Sequence, residues 1–95
     1  MKYAAVIEYS PDLSRLPEVR PAHREHLGKL RDAGILAISG PFTDGPGALM
    51  VVEAGSKEEV DALIKTDPLT QAGIFVKWTI REWNPVFINK SILPD

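Results

Sequence analysis

The sequence has no cysteine. That excludes a disulfide scaffold, a thiolate zinc site and a cysteine nucleophile. No apolar run approaches the roughly 18–20 residues a membrane span requires, so no membrane partner is expected. Neither charge sign dominates: 11 Lys and Arg stand against 13 Asp and Glu, for a net charge of −2. The basic footprint of a nucleic-acid binder is therefore missing. The N-terminal stretch Met1–Glu8 lacks a long apolar region followed by a small-residue cleavage site and reads as a strand, not a signal peptide. Histidine is scarce, with only His23 and His26. What remains is a chain of 95 residues, 44% hydrophobic. It is expected to form a single domain, cytoplasmic, with a small molecule or another copy of itself as partner. A chain this short buries only about 60–65% of its unfolded surface, so a lone monomer has a modest core.

Residues 2–9 are rich in β-formers and stop at Ser10-Pro11-Asp12, which predicts a first strand. Residues 11–20 hold Pro11, Pro17 and several charges and read as a loop. Pro21 suits a first helical turn. From there Ala22, His23, Leu27, Leu30 and Ala33 recur at helical spacing, with Gly34 as the C-terminal cap. Residues 35–39 and 48–53 read as strands two and three, joined across a Gly- and Pro-rich turn. Ser56-Lys57-Glu58-Glu59 is a capping box that starts a second helix carrying Val60, Leu63 and Ile64 inward, and Pro68 stops it near Asp67. Gly73 opens a fourth strand over residues 74–83. Residues 85–95 form a tail beyond a core of about 2–84.

The order β-α-β-β-α-β defines an α+β fold, the ferredoxin-like plait: a four-stranded antiparallel sheet with two helices on one face. Strands one and three are apolar on both sides, whereas an antiparallel sheet with one wet face alternates. The simplest cover for the second face is another copy of the chain, sheet against sheet, as a homodimer.

Plait topology brings the start of the first helix and the end of the second to one rim of the sheet. His23 and Asp67 converge there, with Tyr9, Ser10, Arg20, Ser39, Gly40, Pro41 and Gly73 nearby. An aspartate fixes a histidine tautomer and supports its basicity in general-base pairs. An arginine holds a carboxylate in a bidentate fork. Against this stand blander readings: a lone histidine is commonly a helix-edge residue, and an aspartate before proline is commonly a turn residue. Ser10 and Ser39 lack a nucleophile elbow, so acyl transfer is not expected. With no cysteine, and no second histidine or carboxylate at ligand spacing from His23, no metal or other cofactor is expected.

The segments Arg20-Pro21-Ala22-His23-x-x-His26-Leu27, Gly34-x-Leu36-x-x-x-Gly40-Pro41 and Asp67-Pro68-x-x-x-Ala72-Gly73 resemble, in order and spacing, the YCII-related (YciI-like) domain family. The resemblance covers about residues 2–84. It implies a ferredoxin-like protomer in a dimeric α/β barrel, like that of muconolactone isomerase. It also implies an active site on a His–Asp pair, here His23 and Asp67, with Arg20 and Gly40-Pro41 matching the family's Arg and Gly-Pro. Some members are lyases that eliminate hydrogen chloride from chlorinated hydroxymuconate-type acids. The leading expectation is a cofactor-free lyase or isomerase, dehydrochlorinase- or muconolactone-isomerase-like, acting on a small acidic organic molecule. In it His23 moves a proton, Asp67 orients it, and Arg20, Tyr9, Ser39, Gly40, Pro41 and Gly73 bind substrate. A non-catalytic small-molecule-binding or regulatory dimer is the alternative. A structural interaction module centred on Trp83 and the tail is a third reading.

Overall fold

In the computed structural model, which describes residues 1–93, the chain runs β1 (Lys2–Tyr9), α1 (Leu16–Asp32), β2 (Leu36–Pro41), β3 (Gly47–Glu53), α2 (Lys57–Lys65), α3 (Pro68–Gln71) and β4 (Phe75–Glu82). A 3₁₀ turn at Lys90–Ile92 follows, inside the expected tail, whose last two residues lie outside the described ones. The sheet order is β2-β3-β1-β4 with every neighbouring pair antiparallel, which is the ferredoxin-like arrangement.

The inner face of the sheet carries Tyr3, Ala5 and Ile7 of β1, Met50 and Val52 of β3, and Phe75 and Ile80 of β4. Val60 and Ile64 of α2 and Leu69 of α3 close over them, and Leu16, Val19 and Leu27 of α1 pack alongside. The capping box at Ser56 forms: Ser56 Oγ accepts the Glu59 N–H, while the Glu59 carboxylate reaches back to the Gly55 N–H instead of that of Ser56.

Two expectations need correction. The first helix does not begin at Pro21 but at Leu16, with Pro17 as the proline of its first turn. Pro21 sits inside the helix, where it cannot donate to the Pro17 carbonyl. The apolar stripe of Leu16, Val19 and Leu27 against the core outweighs that lost bond. The correction moves Arg20 from a loop onto the helix and puts His23 two turns in. The second concerns Asp67. It does not end α2, which stops at Lys65, but is the N-cap of the short α3, its side chain accepting the Leu69 N–H. Asp followed by Pro is a helix-starting pair, since the cap needs an acceptor and the first helical position needs no donor.

On the outer face, Val6, Leu49 and Ile38 are exposed, as the alternation of β1 and β3 requires, whereas the β4 side is polar with Lys77, Thr79 and Arg81. Val51 is the exception. It is only 4% exposed because the tail folds back over it, with Trp83, Phe87, Ile88 and Ile92 bordering a shallow cavity of about 440 Å³.

Candidate active site

Two register breaks shape the rim. In β4, Glu8 pairs with Lys77 and Tyr9 with Phe75, so Val76 is an extra residue. This bulge sends Phe75 inward, where it is buried, and leaves Val76 more than half exposed. In β2, Leu36 pairs with Val52 and Ile38 with Val51, so Ala37 is extra. That second bulge puts Ser39 opposite Met50 on the inner face. Both breaks aim side chains into one cavity of about 470 Å³ between α1 and the sheet.

One wall of this cavity is the α1 stripe Leu16, Arg20, His23, Arg24 and Leu27. The facing wall is Ser39, Gly40 and Pro41 of β2, with Ala48 and Met50 of β3 beside them. Ile7, Tyr9, Leu69 and Phe75 line the rest. Tyr9 stacks on Phe75 with centroids 5.4 Å apart, and the His23 ring meets Phe75 edge-on at 5.7 Å. Phe75 thus fixes both polar aromatics at once.

His23 Nδ1 lies 2.8 Å from Asp67 Oδ1 and 2.9 Å from Oδ2. The Asp67 side chain is 1% exposed and that of His23 14%. A buried carboxylate needs donors, and Asp67 has two: the imidazole N–H and the Leu69 backbone N–H at 2.8 Å. Because the carboxylate only accepts, it sets Nδ1 as the protonated nitrogen and leaves Nε2 as the ring atom available to the cavity that His23 lines. Burial pushes the Tyr9 hydroxyl above its ordinary value, partly opposed by Arg20 and reinforced by Asp67, so Tyr9 is a neutral O–H donor near neutral pH.

Of the residues expected at the rim, Tyr9, Arg20, His23, Ser39, Gly40 and Pro41 line the cavity. Asp67 stands behind His23. Gly73 does not line it. It sits at φ +77°, a conformation glycine adopts freely, and ends α3, with the Ile74 N–H reaching the Leu69 carbonyl. Ser10 is occupied as an acceptor for the Asp12 N–H. His26 is half-buried, and its Nε2 is enclosed without a hydrogen-bond partner among the described residues. Sequence reasoning missed Arg24 and Phe75. Arg24 was findable, one turn beyond Arg20 on the same stripe, once the helix was known to start at Leu16. Among the described residues no three His, Cys, Asp or Glu side chains group as a metal site would require. No helix there is long and apolar enough to cross a membrane.

The chain is thus a ferredoxin-like α+β protein with a cavity between its first helix and its sheet. It belongs to the YCII-related domain family, which matches residues 1–84. It is similar to the uncharacterized protein YjpA of Bacillus subtilis, 39% identical over 61 residues that span 64% of this chain and 71% of YjpA. It is also similar to the derivative of benzaldehyde biosynthesis cluster protein C of Emericella nidulans, 36% identical over 73 residues, 65% of this chain and 74% of that one. Among solved structures, the 5-chloro-2-hydroxyhydroquinone dehydrochlorinase TftG of Burkholderia phenoliruptrix, in complex with 2,5-dihydroxybenzoquinone, shares the fold. Its TM-score is 0.75 at 24% identity, over 88% of this chain and 94% of TftG. An antibiotic biosynthesis monooxygenase superposes with a TM-score of 0.54 at 20% identity, over 90% of this chain and 97% of that one.

Proposed function

We propose that the protein is a cofactor-independent enzyme of the lyase or isomerase kind, acting on a small unsaturated acid through His23 and Asp67, and working as a homodimer. The observation that carries this reading is the His23 ring itself. One nitrogen is held by a buried carboxylate and the ring borders a cavity of about 470 Å³, a size that suits a compact organic molecule. Nε2 takes a proton from a carbon next to a carbonyl, and the electron pair of the broken C–H bond moves into an enolate. In an elimination that pair then expels a leaving group such as chloride, the proton remaining on His23 until it passes to water. In an isomerisation the proton returns to a different carbon. Asp67 stabilises the imidazolium formed between these steps. Arg20 holds the acid group and Tyr9 donates to a substrate oxygen.

Two of the similar proteins are consistent with a small organic substrate, without bearing on its acid group. One is named for a cluster that makes a derivative of benzaldehyde, and the other holds a dihydroxybenzoquinone. Both are small oxygenated rings. The homodimer rests on the exposed Val6, Leu49 and Ile38 of the outer sheet face. The test is turnover of a panel of chlorinated hydroxyquinols and unsaturated acids. His23→Ala is expected to lower kcat by on the order of 10²–10⁴, and Asp67→Asn by a smaller factor with the fold intact. Turnover unchanged in His23→Ala overturns the base assignment, and saturable binding without turnover in the unaltered protein makes the dimer a binding protein.

A further inference from the structure

The cavity wall on α1 carries two arginines, not one, both partly open to solvent. Arg20 and Arg24 are one helical turn apart, flank His23, and both line the cavity. Like charges four residues apart on a helix destabilise it. The other Lys and Arg side chains of α1 and its N-cap have acidic partners: Arg15 pairs with Glu18 at 2.7 Å, Lys29 with Glu25 at 3.7 Å and Arg31 with Asp32 at 3.1 Å. Arg20 and Arg24 have no ion-pair partner among the described residues, and no Asp or Glu lines the cavity. In a protein of net charge −2, this is a locally cationic pocket.

From this we infer that the ligand of the pocket is a doubly charged anion, with Arg24 anchoring the second negative group and so determining specificity. The inference rests on the acid-binding reading above and deepens it. The ligand bridges the two arginines along the α1 wall. One acidic oxygen sits at Arg20 beside His23, and the other reaches Arg24 one turn further on. Relief of the Arg–Arg repulsion by the second charge adds to the hydrogen bonds made there. A singly charged ligand leaves one guanidinium unopposed.

The experiment compares probes that differ in one carboxylate and little else: fumarate against crotonate, and terephthalate against 4-methylbenzoate. Calorimetric titration is run on the full chain and on Arg24→Gln, Arg24→Lys and Arg20→Gln, each checked for its helical far-ultraviolet spectrum. The unaltered protein is expected to bind the dianion of at least one pair about tenfold or more tightly, roughly one charge-assisted hydrogen bond. Arg24→Gln brings that ratio close to one, Arg24→Lys leaves it intermediate, and Arg20→Gln weakens both members of the pair. Raising the salt concentration narrows the ratio. Equal binding of mono- and dianion by the unaltered protein, or an unchanged ratio in Arg24→Gln, overturns this inference and leaves the acid-binding reading standing. Binding of none of the four anions overturns both.

Discussion

Asp67 serves two donors with one carboxylate, the His23 ring and the start of α3. Asp67→Ala removes both contacts and leaves a buried N–H and an imidazole N–H unpaired. It is expected to cost about 2–4 kcal/mol in chemical denaturation, the sum of a lost cap and an unsatisfied group. Asp67→Asn keeps an acceptor for Leu69 but turns an NH₂ toward the ring. The fold is expected to survive within about 1 kcal/mol, since the amide oxygen still serves as a cap. The imidazole is expected to switch tautomer, which nitrogen-15 chemical shifts of His23 will read. Asp61 gives a pH prediction. The Lys65 ammonium, at 2.8 Å, and the Trp78 indole N–H, also at 2.8 Å, hold its carboxyl below the usual aspartate range. Its stabilising contribution is therefore full above the unfolded-state value of about 3.9 and is lost as the pH falls through the lower folded value. The Tm difference between the unaltered protein and Asp61→Asn is expected to persist at neutral pH and to vanish in strong acid.

At the scale of the element, α1 is the least orthodox part of the chain. Its interior Pro21 forfeits a hydrogen bond to the Pro17 carbonyl. Pro21→Ala is expected to stabilise the protein by roughly 1–2 kcal/mol. The regained bond outweighs the flexibility returned to the unfolded chain, and the urea midpoint will rise with an unchanged m-value. The same proline explains why the helix start was misplaced in the sequence. A Pro before an apolar stripe marks a first turn, and two such prolines, Pro17 and Pro21, compete for that reading. The strands and their order were legible because alternation and turn residues are local. The bulges at Val76 and Ala37 were not, because an extra residue is defined only against the partner strand. Phe75 was missed for that reason: strict alternation from Ile80 and Trp78 points Val76 inward in its place. The proximity of His23 and Asp67 was legible from topology alone. The reason Asp67 tolerates burial, the α3 N-cap, lay in Asp67-Pro68, which sequence reasoning took as a stop and the chain uses as a start.

For the whole molecule, the outer sheet face is divided between a polar β4 side and an apolar side where Val6, Leu49 and Ile38 stand open. The tail folds over Val51, while Phe87 is 95% exposed and Ile92 80%. On the homodimer reading these side chains meet a second copy. Light scattering at micromolar concentration is expected to give about twice 10.5 kDa. Removal of residues 85–95 is expected to shift the protein toward monomer and to uncover Val51, with increased binding of a hydrophobic dye. A full-length chain that runs as a monomer removes the basis for the dimer. β1 is a central strand, yet one of its two partners is β4, which follows it in the chain by more than sixty residues. Pairings this distant in sequence close slowly. During synthesis the N-terminal strand emerges long before its neighbour, and His23 long before Asp67 and Phe75. A nascent chain halted after α2 therefore presents an open sheet edge and a histidine with nothing to orient it.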